Sequence, residues 1–122
     1  MRFAIPEFKG RVSPAFDFSS RIIVAEVSDD GMPETFPIQW SSSNMYNKIQ
    51  QLKELKVETL LCGGISLKLA RDVEKCRIQV IPGISGEVQE VIRAFISGGI
   101  PDPRLTMAGC IEGISLLRSN RQ

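Results

Sequence analysis

Two stretches of this chain share one grammar, and between them they leave few folds open. From Glu58 to Ala70 a short apolar run ends at Cys62, Gly63 and Gly64 follow, and a helical pattern begins at Ser66. Arg77 to Ile81 is a second apolar run, stopped by Pro82-Gly83, with Ser85 placed to cap a further helix. Each reads as a buried strand, a tight turn and a helix. Strands joined through helices run parallel, with right-handed crossovers, so the chain belongs to the α/β class. In an open sheet of that kind, small ligands bind beyond the carboxyl ends of the strands. The first turn puts the Cys62 thiol there, beside the positive end of a helix.

Before these units the chain reads as β, β, β, α. Arg2-Phe3-Ala4-Ile5 is a short strand, ended by Pro6, which has no N–H for a sheet ladder. Glu7 to Ser20 carries turn signals around Phe8, Val12, Phe16 and Phe18, a loop that packs on the body. Arg21 to Val27 is rich in β-branched residues and is the clearest strand. Ser28-Asp29-Asp30-Gly31 turns the chain into a hairpin partner at Thr35 to Trp40, where Pro37 marks a sheet edge. Ser41 to Asn44 offers helix caps, and Met45, Ile49, Leu52 and Leu55 form one apolar stripe. The stripe Val88, Val91, Ile92, Phe95 and Ile96 marks a third helix, ended by Gly98-Gly99. The economical topology is a five-stranded mixed sheet in the order 3-2-1-4-5, counted along the chain, with helices on its faces. Residues 1–100 form the domain, and 101–122 read as a flexible or partner-dependent tail.

Composition excludes more than it selects. Histidine is absent from all 122 residues, which removes His-based triads, His-ligated zinc and the commonest general base. A net charge of +1 gives no footprint for nucleic acid. No apolar run approaches the roughly 20 residues of a membrane helix, and no secretory h-region precedes Pro6. Three cysteines at unrelated spacings do not make a disulfide framework, and a reduced cytoplasmic compartment is the simplest expectation.

Within those bounds Cys62 has two readings. As a thiolate at a helix N-terminus it is a metal ligand, with Gly63 and Gly64 letting a cluster or anion approach the backbone. As a structural residue it is a small buried apolar group at a strand end. Cys110, in Thr106-Met107-Ala108-Gly109-Cys110, is either a lid ligand closing over Cys62 or incidental. Cys76 falls on the inner stripe of its helix and reads as core. The turn Pro82 to Gly86 neighbours the first turn, and the two together present backbone N–H groups to an anion. Lys9, Arg11 and Arg21 flank the first loop, where they face a negative ligand or simply solvent. No nucleotide-binding glycine motif is present.

Taken together, Met1 to Pro6, Gly10-Arg11-Val12-Ser13-Pro14-Ala15-Phe16, Leu61-Cys62-Gly63-Gly64-Ile65-Ser66 and Val80 to Val88 resemble the nitrogenase iron–molybdenum-cofactor biosynthesis family, the NifX-like domains. The resemblance covers about residues 1 to 100. It implies a three-layer, ribonuclease-H-like fold and a non-enzymatic carrier of iron–sulfur or molybdenum-containing clusters, acting with a cofactor-assembly partner, as a monomer or weak homodimer. It implies contacts from Arg11, Ser13, Cys62, Gly63, Gly64, Ile65, Ser66, Gly83, Ser85 and Gly86, with Cys62 and Cys110 as metal ligands. Two departures stand out: Ala15 occupies the place of a family histidine, and Ala108 that of a proline. Two thiolates do not complete the four-cysteine set usual for an iron–sulfur cluster, although a dimer pairing Cys62 and Cys110 from each subunit would. Rival expectations are a redox thiol module, with Cys110 resolving Cys62, and a protein-interaction domain that has lost its ligand.

Overall fold

The computed structural model describes residues 1–100 and 102–107. Its strands are β1 (Arg2–Phe8), β2 (Arg11–Val12), β3 (Arg21–Val27), β4 (Pro33–Gln39), β5 (Thr59–Leu61) and β6 (Gln79–Ile81). Its helices are α1 (Met45–Glu54), α2 (Leu67–Glu74) and α3 (Val88–Ile96). The sheet runs β4-β3-β1-β5-β6, and β2 pairs with β1 off that path. This corrects the expected five strands to six: with the added β2 counted, the order written 3-2-1-4-5 becomes 4-3-1-5-6, the five expected strands keeping their neighbours. The added strand is two residues long, too short to show alternation, and it follows a turn in which Lys9 and Gly10 take φ of 52° and 82°.

β1 is central, antiparallel to β3 and parallel to β5. Contrary to the expectation that Pro6 ends it, β1 continues to Phe8, with Pro6 opposite Ile22. The alternation of strand backbone explains why. Arg2 accepts from the Glu58 N–H on the β5 side, so Pro6, four residues on, faces the same way. The β1–β5 ladder has stopped by Ala4–Leu60, and the Pro6 carbonyl accepts instead from Ser13 N–H. No ladder bond is lost where the N–H is missing.

Two apolar layers flank the sheet. α1 and α2 bring Ile49, Leu52, Ala70 and Val73 against Ala4, Val24, Leu60 and Val80 on one face. α3 brings Val88, Val91 and Ile92 against Phe3, Ile5, Leu61 and Ile81 on the other. Each of these valine, leucine, isoleucine and phenylalanine side chains, fully buried, contributes roughly 1.5–3 kcal/mol. Asn44 caps α1 by accepting from Asn47 N–H, and Ser66 caps α2 by accepting from Leu69 N–H. The expected cap Ser85 is displaced: α3 starts three residues later, after Gly86 at φ 118°, with Glu87 at its N-cap. Residues 102–107, which the sequence assigns to the tail, lie against the body, and 108–122 fall outside the described residues. Leu105 is buried in the second layer, and Met107 N–H donates to Gly83. Among the described residues no helix is long and apolar enough to cross a membrane.

Candidate functional site

The connections leaving β1, β5 and β6 meet at one edge of the sheet, where backbone hydrogen bonds join them. Gly64 N–H donates to Pro14 at 2.7 Å, and Phe16 N–H returns a bond to Gly64 at 2.8 Å. Gly83 N–H donates to Gly63 at 3.0 Å, and Ile84 N–H to Cys62 at 2.9 Å. Val12 N–H reaches Gly86 and Val88 N–H reaches Gly10, each at 2.9 Å. The glycines are needed for this closeness: a Cβ on Gly63 would stand 2.6 Å from the Ser13 carbonyl oxygen.

The predicted residues Arg11, Ser13, Cys62, Gly63, Gly64, Ile65, Ser66, Gly83, Ser85 and Gly86 thus lie on adjoining connections. What they offer a guest differs from the expected amide cradle. The N–H groups of Gly64, Gly83 and Ser85 are taken up by Pro14, Gly63 and Leu105. Ser13 is buried and its hydroxyl donates to Ala15, while Ser66 is occupied in capping α2. Ile65 packs against the first apolar layer. Arg11 is exposed at the rim. Arg21 is paired with the buried carboxylate of Glu7 and has no free charge to lend.

Cys62 requires the main correction. It is fully buried, within the cluster that includes Phe16, Leu60 and Ala70. Burial pushes its thiol far above the ordinary range, and the Asp17 carboxylate adds to that shift. The pull of the helix N-terminus does not prevail, because the sulfur points into the apolar layer between sheet and helices. In this conformation Cys62 is a neutral thiol, neither an exposed ligand nor an activated nucleophile. Cys76 is half-buried at the end of α2, before β6 and so at the opposite edge of the sheet. Cys110 lies outside the described residues. Among the described residues no group of three or more His, Cys, Asp or Glu is placed to hold a metal ion. The described residues do not form a ready thiolate site.

One polar cluster near Cys62 escapes the sequence reading. Lys48, on α1, is 3% exposed, and its ammonium donates to the carbonyls of Asp17 at 3.2 Å and Ser19 at 2.9 Å. It lies 5.5 Å from the centre of the Trp40 ring. Desolvation lowers the Lys48 pKa, and the Asp17 charge partly opposes that. Trp40 Nε1–H donates to the Ser19 hydroxyl at 3.0 Å, which itself donates to Phe16. The signal was present in the sequence: Lys48 stands three residues after Met45 and four before Leu52, on the apolar stripe itself.

Comparison with known proteins places this architecture. The model of the dinitrogenase iron–molybdenum cofactor family matches residues 1–98. None of the curated proteins matches the chain. Among solved structures, the protein PH0822 is 23% identical with a TM-score of 0.73, covering 80% of this chain and 92% of its own. A candidate dinitrogenase from Methanocaldococcus jannaschii is 22% identical with a TM-score of 0.66, covering 81% and 90%. The apo form of the orange protein from Desulfovibrio gigas is 22% identical with a TM-score of 0.65, covering 88% and 92%. At these identities the structures share a fold with this chain. The family match spans most of its length, and the chain belongs to the dinitrogenase iron–molybdenum cofactor family.

Proposed function

We propose that this protein binds or carries an iron–sulfur or molybdenum-containing cluster during metallocofactor assembly, in the cytoplasm, without enzymatic activity of its own. One observation carries the reading. The connections from β1, β5 and β6 meet at the carboxyl edge of parallel strands, inside the segment that the family match spans. Sheets of this kind bind their ligands at that edge.

The cluster is cargo, and the chain's part is to receive and shield it. A cluster carrying its own sulfides can be held by charge at a positive rim, for which exposed Arg11 is placed, since the amides of Gly64, Gly83 and Ser85 are already bonded. Thiolate ligation requires Cys62 to be uncovered, with Cys110 or a second copy of the chain supplying further sulfur. The test is anaerobic reconstitution with iron and sulfide, followed by visible absorption. Wild type is expected to take up metal, and Cys62→Ala to take up less. Equal and negligible uptake by both would end the reading.

A second reading is a protein-interaction domain that keeps the scaffold without the ligand. The occupied amides and Ala15, in the place of the family histidine, favour it. It gains ground if reconstitution fails in the wild type. The redox-module reading is weaker, since a thiol with a raised pKa has little thiolate to react.

A further inference from the structure

The segment Ser13–Ser19 runs past the end of β5 and lies against Cys62. Phe16 shares the apolar cluster of Cys62, and its N–H is fixed to Gly64. Asp17, the next residue, is close enough for its charge to act on the thiol. Residues 16–19 form one short turn, closed by Ser19 N–H and the Ser19 hydroxyl on the Phe16 carbonyl, and this turn is held to the body from α1 and from Trp40 just after β4. Lys48 donates to Asp17 and Ser19, and Trp40 donates to the Ser19 hydroxyl. Phe18, at its crest, is 88% exposed, so no apolar contact pins the segment there.

Closure also carries a cost. The Oδ1 atom of Asp17 is buried without a hydrogen-bond donor, a demand that hydration meets once the segment lifts. An open cleft of about 420 Å³ is lined by Asp17, Phe18 and Ser19 on one side and by Lys48 and Trp40 on the other. Hold and cost therefore meet on three consecutive residues. A local opening here needs no loss of the strand ladders or of either helical layer.

We propose that Phe16–Ser19 is a strap over Cys62, latched by Lys48 and Trp40, and that its opening admits a guest to the buried thiol. Lys48 is then a positioning residue: it touches neither thiol nor guest, and acts by keeping the strap down. That the guest is a cluster rests on the function proposed above, whereas the strap does not.

Alkylation by iodoacetamide, followed for each cysteine by mass spectrometry on the full chain without metal, tests this. In the wild type, Cys62 is expected to react far more slowly than half-buried Cys76. Lys48→Met removes both strap bonds and is expected to speed Cys62 about tenfold, with Cys76 unchanged. Trp40→Phe keeps an aromatic ring, though a smaller one, removes the bond to the Ser19 hydroxyl and gives a smaller increase. It decides the matter alone if Lys48→Met does not fold. The Cys62 rate should be flat in low urea, as local opening exposes little surface. If neither variant speeds Cys62 relative to Cys76, or if its rate follows urea as global unfolding does, the strap is wrong. Alkylation reads the strap and metal uptake reads the function, so each can fail without the other.

Discussion

The carbonyl oxygen of Ser13 occupies the place a side chain on Gly63 would need, 2.6 Å from the Cβ position, with the Pro14 oxygen at 2.9 Å. Both obstacles are backbone, held by Ser13 N–H to Pro6 and by Gly64 N–H to Pro14, so neither moves without breaking the junction of the connections. Gly63→Ala is expected to cost about 1–3 kcal/mol, the range for overpacking a close-packed site. Gly64→Ala, whose nearest atom is the Pro14 oxygen at 3.0 Å, should cost less. Urea unfolding of the two variants checks the order. Equal, near-zero losses would mean that the glycines serve a ligand and not the packing.

Cys62 makes stability depend on pH in one direction. Its folded pKa lies above that of an unfolded thiol, about 8.5. The contribution is therefore complete below that value and is lost as pH rises beyond it, when the unfolded chain releases a proton that the folded one keeps. The slope approaches about 1.4 kcal/mol per pH unit for one group. Cys62→Ala should be less stable than wild type at pH 7, by roughly 1 kcal/mol for the lost packing. The gap should close at about pH 9 and reverse by about pH 10, where the lost proton linkage amounts to roughly 2 kcal/mol. Comparing the two proteins cancels other titrating groups that the mutation does not touch. A gap constant from pH 7 to 10 would show that the thiol is not buried in solution.

Much of the scaffold was legible because it rests on local rules. Arg21–Val27 is a strand by β-branching alone, and Ser66 caps α2 where the helical pattern begins. What escaped was decided by tertiary contact. β2 has two residues and exists because β1 offers it a free edge beyond Ala4–Leu60. Ser85 loses its cap role because Gly86 turns the chain away and the Ser85 N–H goes to Leu105. At the site, spacing placed Cys62 beside a helix N-terminus but could not say on which side of the sheet its sulfur would fall. Strand alternation put Leu61 in one layer and Leu60 and Cys62 in the other, under Phe16. Lys48 was not legible because a lysine is almost never buried without partners, and its partners, the carbonyls of Asp17 and Ser19, are backbone groups far away in sequence.

Glu7 is 5% exposed, yet it carries a carboxylate, which Arg21 meets through Nε at 3.1 Å and a second nitrogen. The arginine side chain is 42% exposed, so solvent weakens the pair. Removing the arginine alone still strands a buried acceptor. Arg21→Ala is expected to destabilise the fold, and to do so less when Glu7→Gln is already present. A double-mutant cycle by urea unfolding should give a favourable coupling between the two. Additive losses would mean that Glu7 finds its hydrogen bonds elsewhere.

Gly86 joins α3 to the docked segment 102–107, and it does so under two constraints. Its φ of 118° is a conformation that L side chains rarely adopt, and a Cβ there would stand 2.7 Å from the Leu105 Cδ2. Leu105 is the apolar anchor of that segment, and its carbonyl accepts from Ser85 N–H. Gly86→Ala should therefore lower stability by about 1–3 kcal/mol and loosen 102–107 together. Trypsin reports the second effect, because Arg104 lies inside the segment and is exposed. Cleavage after Arg104 should accelerate in Gly86→Ala while the chain stays folded by circular dichroism. Leu105→Ala should speed the same cleavage, and adding it to Gly86→Ala should cost less than the sum, since the clash is then gone and only the backbone strain is left. Strict additivity would assign the whole effect to φ, and would separate the glycine's role in the turn from any role in seating Leu105.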